Sequence, residues 1–418
     1  MRGAAPCARR PLFWALAATL LASTPGRAGA LSACAGGPDA CTLREAAAAA
    51  GIYLGFALDR SVISDAAPGA ALAAREASSV TAENAMKWRE LSEAPGQYDF
   101  DDADALVAFA EANGQRVRGH TLLWGRANGP PGWWSADLAS APDPAQRARE
   151  RIDAHVAAVA GRWAGRVESW DVVNEPFAIV GGALDAANPF QQALGGAYIE
   201  RALRAAHAAD PAARLFINEV LLELDGAKLD AMIGLASALL AAQTPLSGVG
   251  FQGHFLARPA FGDLRARLQR IADLGLDVEL TEIDLPIALF AGTPDPLAAQ
   301  AAAYADVVRA CLAVSRCTGI TFWGLEDGDT WLDHAPLWSA LAPNRPLLFD
   351  ESRDPKPAYF AVRDALIAVP EPGTALVTAL GLLALAVRRA PRPARSSSRS
   401  SPPRPSSAGD TDSLRGVR

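Results

Sequence analysis

Eight short segments rich in β-branched and aromatic residues recur along the chain, and longer segments with helical spacing separate them. The strand candidates are residues 52–58, 80–84, 117–124, 169–175, 214–219, 248–254, 277–284 and 319–324. Helical spacing is clearest before the fourth strand, at Ile152, Val156, Val159 and Trp163. Eight such units predict an α/β fold, a single (β/α)8 TIM barrel. A doubly wound open sheet is the alternative, but the phosphate-binding glycine loop that normally follows its first strand is not found in the sequence.

Composition limits the partners that the protein can have. The chain has 418 residues, half of them hydrophobic, and a formal net charge of −7. This length is sufficient for a large core. Because the balance is mildly acidic and no basic run lies within the body of the chain, we expect no nucleic-acid partner.

The first 30 residues have the pattern of a secretory signal. Arg2, Arg9 and Arg10 form a basic start, residues 11–22 are apolar, and Ala28-Gly29-Ala30 is a small-residue cleavage site. We therefore expect residues 1–30 to be removed by signal peptidase and the protein to be exported. The alternative is lipoprotein processing at Leu31-Ser32-Ala33-Cys34, which resembles a lipoprotein box but lies far from the apolar run.

The four cysteines outside the signal lie in two close pairs, and export permits disulfides. Of three connectivities we favour the local one, which joins Cys34 to Cys41 and Cys311 to Cys317. No cysteine and histidine cluster has metal-binding spacing, so we predict no metal site.

Residues 367–389 resemble the PEP-CTERM sorting signal of bacteria that process exported proteins with an exosortase. VPEPGT at residues 369–374 precedes an apolar run at 375–387, and Arg388 and Arg389 follow. The resemblance implies transient membrane contact, with an extracellular or cell-surface protein as the outcome and a periplasmic or anchored stage in transit. The Pro/Ser/Arg-rich tail at 390–418 departs from the pattern and is expected to be disordered.

Polar residues cluster where the predicted strands end. They are Glu83, Asn84, His120, Asn174, Glu175, Glu219, Gln252, His254, Glu282, Asp284 and Trp323. In a TIM barrel these ends form one face, where active sites lie. A single glutamate there is as readily a helix cap or a salt-bridge partner. Glu175 and Glu282 together, on the fourth and seventh strands, suit glycoside hydrolysis, which needs one protonated and one ionised carboxyl group.

Several motifs resemble glycoside hydrolase family 10, the xylanases, and they occur in the family's order and spacing across residues 50–362. They are VTAENAMKW (80–88), VRGHTLLW (117–124), WDVVNEPF (170–177), GFQGH (250–254), LTEIDLP (280–286), ITFWG (320–324), PLLFD (346–350) and PKPAY (355–359). The resemblance implies a retaining enzyme with Glu175 as acid/base and Glu282 as nucleophile. It also implies that Asn174 binds the sugar 2-hydroxyl and that His254, oriented by Asp284, lies beside the nucleophile.

The resemblance further implies a set of substrate-binding residues. Glu83, Asn84 and Lys87 match the cluster that holds the second xylose on the non-reducing side, and Gln252 matches a residue that bonds the acid/base. The remaining members are His120 and Trp124 next to the cut and the aromatic walls Trp323 and Trp331.

Three segments depart from the family pattern. Gly125-Arg126-Ala127 replaces His-x-Gln, which predicts lost sugar contacts or their replacement by Arg126. Glu219-Val220-Leu221 follows Asn218 where the family often has Asp-Tyr-Asn. Finally, GPPGWW at 129–134 predicts a new platform built from its two tryptophans.

Residues 31–366 are thus predicted to form the catalytic barrel of an exported, retaining endo-β-1,4-xylanase. It would need no cofactor, bind xylan or xylo-oligosaccharides and act as a monomer. One alternative is a catalytically weak xylan-binding surface protein. The other is a related barrel glycosidase that acts on another β-1,4-glycan.

Overall fold

The computed structural model describes residues 34, 40–64, 67–126, 129–255, 257, 261–336 and 338–368. Almost all of the predicted signal segment, sorting segment and tail lies outside these residues. Within the described part of the chain, no helix combines the length and hydrophobicity needed to cross a bilayer.

Eight parallel strands close into a barrel in chain order, which confirms the predicted (β/α)8 fold and excludes the open sheet. The strands are β1 Tyr53–Leu58, β2 Ser79–Ala82, β3 Arg116–Trp124, β4 Ser169–Asn174, β5 Arg214–Glu219, β6 Gly248–Phe251, β7 Asp277–Ile283 and β8 Cys317–Phe322. All eight predicted segments are strands, with ends that move by up to three residues. The largest shift is in β6, which stops before Gly253, a residue with a left-handed φ of 78°.

Helices surround the barrel. They are α1 Leu43–Ala50, α2 Arg60–Ile63, α3 Pro68–Glu76, α4 Trp88–Leu91, α5 Asp101–Ala112, α6 Trp134–Ala139, α7 Pro144–Arg162, α8 Pro189–Leu194, α9 Ala197–Ala209, α10 Gly226–Ala241, α11 Phe261–Ala272, α12 Pro296–Leu312 and α13 Pro357–Ile367. Short 3₁₀ helices occupy Ile287–Phe290, Asp327–Asp329, Trp331–Asp333 and Ser339–Leu341.

Local sequence explains where the longer helices begin and which face they bury. Asp143 caps α7 by accepting from Gln146 N (2.9 Å), and Pro144 occupies the first turn, where its missing N–H costs nothing. The residues with helical spacing, Ile152, Val156 and Val159, are all fully buried. The apolar stripe of α7 therefore faces the barrel, as its spacing predicts.

Both predicted disulfides are present. Cys34 pairs with Cys41 (Cα–Cα 4.9 Å), and Cys311 at the end of α12 pairs with Cys317 at the start of β8 (Cα–Cα 5.4 Å).

A buried ionic cluster occupies the barrel interior. The Arg118 guanidinium contacts the carboxylates of Asp171 and Glu279, and Tyr53 donates its hydroxyl to Glu279. Burial by itself raises the pKa of Asp171, but Arg118 and a hydrogen bond from His120 lower it below its ordinary value.

Replacing Arg118 by methionine should strongly destabilise the fold, because the buried Asp171 loses its arginine and the buried Glu279 keeps only Arg214 (3.0 Å) as a cation. We expect a loss of about 3–5 kcal/mol in the free energy of unfolding, measured by denaturant titration at pH 7. Since the pKa of Asp171 is lowered by folding, this loss should shrink as the pH falls through its folded value.

Arg116 provides the matched control on the same strand. Its ion pair with Glu168 (3.2 Å) is solvent-exposed, so Arg116→Met should cost less than about 1 kcal/mol. Equal losses in the free energy of unfolding for the two variants would show that the buried cluster contributes no more to stability than an exposed ion pair.

Candidate active site

A cavity of about 630 Å³ opens at the carboxyl ends of the strands, where the sequence predicts the active site. It brings together all thirteen predicted catalytic and substrate-binding residues except Asp284, which contacts two of the lining residues from behind. The lining comprises Glu83, Asn84, Lys87, His120, Trp124, Asn174, Glu175, Ile179, Val220, Leu221, Gln252, His254, Glu282, Trp323, Trp331, Ala335, Pro336 and Trp338.

Glu175 follows β4 directly and turns sharply into the cavity. Its φ of 52° lies in the left-handed region, an uncommon backbone state for a residue of this size that is often found at functional sites. Glu175 N donates to Asn218 O on β5 (2.8 Å), which holds the turn. Gln252 Nε2 donates to Glu175 Oε1 (3.1 Å), the contact that the family resemblance implies.

Glu282 lies on β7 and is almost fully buried, with 4% of its surface exposed. Asn218 Nδ2 donates to Glu282 Oε1 (2.6 Å), and His254 Nε2 lies 3.0 Å from Glu282 Oε2. Both oxygens of this carboxylate are therefore held by donors before any ligand binds.

His254 connects Glu282 to Asp284. Its Nδ1 lies 2.7 Å from Asp284 Oδ2, so each ring nitrogen faces a carboxylate and both act as donors. Trp331 Nε1 donates to the same Asp284 oxygen (2.8 Å). This geometry favours an imidazolium at His254, with Asp284 setting its orientation as predicted.

The electrostatics of these groups agree with that protonation. Burial lowers the pKa of His254, but the charges of Asp284 and Glu282 outweigh burial and raise it well above its ordinary value. Burial raises the pKa of Glu282, but the hydrogen bond from His254 and the nearby histidine charges lower it overall. Glu282 is thereby kept ionised, the state that a nucleophile needs.

Hydrogen bonds connect the two glutamates. Asn174 Oδ1 accepts from Asn218 Nδ2 (2.8 Å) and from Gln252 Nε2 (3.3 Å), and these same amides bond Glu282 and Glu175 respectively. With its oxygen so occupied, Asn174 presents its amide nitrogen, which has no partner among the described residues. An N–H donor aimed at the cavity suits a sugar hydroxyl.

Replacing His254 by alanine should shift the acidic limit of the active pH range to a higher pH. Without the donor, burial raises the pKa of Glu282, so this carboxylate, the predicted nucleophile, becomes protonated at a higher pH. We expect kcat/KM to fall about 100-fold at neutral pH and further as the pH decreases, measured on a nitrophenyl β-xylobioside.

The exposed residue His207 on α9 offers the control for this profile. His207→Ala should reproduce the wild-type curve, whereas a His254→Ala curve parallel to wild type would refute the link between His254 and Glu282 ionisation.

The predicted cluster after β2 is formed. Lys87 Nζ donates to Asn84 Oδ1 (2.8 Å) and lies 5.0 Å from the centre of the Trp124 ring. Burial, with help from Asp59, raises the pKa of Glu83 to about 7, and burial lowers the pKa of Lys87. Because these side chains are partly shielded from water, their polar groups are well placed to bind the hydroxyls of a sugar.

The aromatic wall is also formed. Trp323 packs edge-on against His120 (5.1 Å between ring centres), and Trp331 lies 4.9 Å from the His254 ring. His120 Nδ1 lies 2.9 Å from Asp171 Oδ2 and 4.0 Å from Glu282 Oε1. His120 therefore lies beside Glu282 as well as beside the aromatic wall.

Two expectations about the departing segments are corrected. Arg126 does not reach into the open cleft. Its guanidinium contacts the carboxylate of Glu175, and Nη2 donates to Phe177 O (2.9 Å). Trp134 is not part of a platform, because it is buried against Trp88, and Trp133 donates from Nε1 to Ser92 O (3.1 Å).

Two residues that bond carboxyl groups of the site were not predicted from the sequence. Asn218 was visible only as part of a strand, although its position at the β5 end was a signal. Lys228 on α10 is fully buried and donates from Nζ to Glu219 Oε1 (3.1 Å). Burial raises the pKa of Glu219 to about 8 despite this partner.

Among the described residues, no group of three or more His, Cys, Asp or Glu side chains is arranged to hold a metal ion.

Several known proteins are similar to this chain in sequence and in fold. The model of glycosyl hydrolase family 10 matches residues 42–365. Endo-1,4-beta-xylanase 3 of Hypocrea jecorina is 37% identical over 315 residues, which are 74% of this chain and 81% of that protein. Exoglucanase XynX of Acetivibrio thermocellus is 34% identical over 327 residues, 76% of this chain but 29% of that longer protein. The crystal structure of xylanase 10B from Thermotoga petrophila RKU-1 in complex with xylobiose matches with a TM-score of 0.70 and 32% identity, over 78% of this chain and 97% of that one. The chain therefore belongs to glycosyl hydrolase family 10.

Proposed function

We propose that the protein is a retaining endo-β-1,4-xylanase that cleaves internal bonds of xylan by double displacement. The observation that carries this proposal is the pair of strand-end glutamates, one held ionised by His254 and the other bonded by Gln252. The solved relative that contains xylobiose and the relative named as an endo-1,4-beta-xylanase support the choice of substrate.

In the first step Glu282 attacks the anomeric carbon, the glycosidic C–O bond breaks, and Glu175 gives its proton to the departing oxygen. The product is an ester between the sugar and Glu282. The amide of Asn174 donates to the 2-hydroxyl while charge develops on the ring.

In the second step water attacks the anomeric carbon, Glu175 takes the water proton, and the ester to Glu282 breaks. Esterification removes the negative charge of Glu282, which eases proton loss from Glu175. The Arg126 guanidinium lies against Glu175 and helps to position its carboxyl group for this step.

The cluster of Glu83, Asn84 and Lys87 supports a xylose ring at the second position on the non-reducing side. Lys87 is held between Asn84 and the face of Trp124, which leaves little freedom to accommodate a larger sugar. A glucose ring carries an extra hydroxymethyl group and should crowd this subsite.

The test compares a nitrophenyl β-xylobioside, the matching cellobioside and soluble xylan as substrates. We expect kcat/KM for the xylobioside to exceed that for the cellobioside at least about tenfold, and xylan to yield short oligomers. Equal rates on the two glycosides would favour a broader glycanase, as the exoglucanase relative suggests. Binding of xylo-oligosaccharides without any cleavage would favour a carbohydrate-binding role.

We further propose export through the segment at residues 1–30, a catalytic domain at 31–366 and processing at the PEP-CTERM-like segment 367–389, with signal peptidase and an exosortase as partners. Two disulfides in the barrel support an oxidising location outside the cytoplasm. Mass spectrometry of the mature protein would test this, since intact termini would refute both processing events.

A further inference from the structure

The line between β4 and β7 divides the cavity mouth into two sides. Closure in chain order leaves β5 and β6 on one side of Glu175 and Glu282, and β8, β1, β2 and β3 on the other. The cluster after β2, with Glu83, Asn84 and Lys87, lies on the second side and is assigned to the glycone. The leaving group must therefore extend over the ends of β5 and β6.

Among the residues that the structure describes, three apolar side chains line the leaving-group side, two of them at positions after β5 where the family pattern often has polar residues. Val220 and Leu221 follow β5, and Ile179 in the loop after β4 also lines the cavity. None of these three side chains can form a hydrogen bond, although a xylose ring would present hydroxyls here. The nearby polar residues Gln252 and His254 are already bonded to the glutamates and to Asp284.

Ile179 and Val180 are unusual in being exposed, at 52% and 67% of their surface. They form the tip of a hairpin in which Ala178 N donates to Ala183 O (2.9 Å) and Phe177 pairs with Leu184. Large apolar side chains that protrude into solvent beside a cleft commonly mark a binding surface.

Two acidic side chains, the buried Glu219 and the partly exposed Asp225, tether this hairpin to the β5 side. Glu219 accepts from Phe177 N (3.1 Å) and from Val220 N (2.9 Å), so one side chain fastens both apolar segments. Gly181 N donates to Asp225 Oδ2 (2.6 Å), which holds the other end of the tip. The apolar residues are thus presented in a preorganised position.

The backbone conformation of Leu221 also points to a binding role for this apolar surface. Its φ of 65° is left-handed, which is strained for leucine, and Asp225 N donates to Leu221 O (2.7 Å) to close the turn. An asparagine would adopt this backbone more easily, so the leucine occupies this position against the local conformational preference.

We infer that the leaving-group side of the cleft also accepts an apolar aglycone, an alkyl or aryl group joined to the xylosyl chain, in addition to the xylose ring that cleavage within xylan places there. The inference rests on the proposed xylanase activity, because it concerns the group that Glu175 protonates. Ile179, Val220 and Leu221 are the residues that bind this apolar group.

Methyl, n-propyl and n-hexyl β-xylobiosides test this on the full-length protein. Their glycones are identical and the departing alkanols are similar in acidity, so differences in kcat/KM report contacts of the alkyl chain. We expect kcat/KM to rise about twofold per methylene, or about 30-fold from methyl to hexyl, because partly buried methylenes favour binding.

Ile179→Asn and Leu221→Asn should each reduce the hexyl to methyl ratio, and together they should bring it below about three. Asparagine suits the left-handed backbone at residue 221, and Ile179 is exposed, so both variants should fold. Leu297→Asn is the matched control, since Leu297 is 38% exposed on α12 and the ratio should remain as in wild type.

Each outcome separates this inference from the proposed function. Cleavage of all three glycosides with equal kcat/KM would overturn the inference and leave the xylanase assignment intact. A preference that survives the double variant would overturn the assignment to these residues. If no glycoside is cleaved, calorimetry on the Glu282→Gln variant decides the inference alone, with hexyl xylobioside expected to bind about tenfold tighter than the methyl compound.

Discussion

Glu282→Ala is expected to reduce kcat on a nitrophenyl β-xylobioside by about 10⁵-fold, because it removes the carboxylate that we propose as the nucleophile. Glu282 is the group that Asn218 and His254 hold with both oxygens bonded. Without it, no ester can form, and single-turnover kinetics should show no burst of nitrophenol.

Added azide should show whether the loss of kcat in Glu282→Ala is due to the missing nucleophile. Azide can occupy the space left by the side chain and attack from the nucleophile's face, which would produce the α-xylobiosyl azide. Formation of the β-azide, or more than about 1% residual activity from a folded variant, would contradict the assignment of Glu282 as nucleophile.

Two further variants control for structural damage. Glu282→Gln keeps the volume and one oxygen, so it should be equally inactive while retaining the wild-type melting temperature within a few degrees. Glu351→Ala removes an exposed carboxylate whose ion pair with Arg345 (3.1 Å) lies at the surface, and it should have nearly full activity.

Glu175→Ala is expected to separate substrates by the acidity of their leaving group. Xylan releases a sugar alcohol and needs a proton donor, so its hydrolysis should fall about 10²- to 10⁴-fold. A nitrophenyl xylobioside releases an acidic phenol and should form the glycosyl-enzyme almost normally. Its turnover should then stall at the second step, because water lacks a base, and a burst should appear.

Azide again provides the diagnostic measurement, now with the opposite stereochemistry. It needs no base and attacks the glycosyl-enzyme from the face opposite to Glu282, so turnover should recover with β-xylobiosyl azide as product. Equal losses on xylan and on the nitrophenyl glycoside, without recovery by azide, would refute the acid/base role.

Gln252→Ala is a useful comparison for this variant. It removes the amide that bonds Glu175 (3.1 Å) and leaves the carboxyl in place. A smaller loss on xylan, with no burst and no azide effect, would distinguish positioning of the acid/base from its chemistry.

The predicted strands and the residues at their ends were recognisable because both signals are local. Strand propensity and helical spacing extend over a few residues, and a barrel places every strand end on one face, so His254, Asp284 and Glu282 could be assigned to one site from their order alone. Their bonds in the structure follow from that placement.

The exact partners of charged side chains could not be predicted in this way. Arg126 was expected to contact sugar and instead pairs with Glu175, and nothing local marks Lys228 as the buried partner of Glu219. Trp134 was expected on a surface and instead begins α6 and lies in the core beside Trp88, because the face that a short helix buries depends on the elements that pack against it.

By itself, then, the sequence determined the barrel, through its periodicity and the polar residues at the strand ends, and it indicated the family and the two glutamates through motifs that resemble those of glycosyl hydrolase family 10. Only the tertiary structure decided which polar groups hold Glu282 and which carboxylates tether the exposed hairpin at Ile179. These features depend on distances between residues far apart in the chain, and such distances exist only once the barrel has closed.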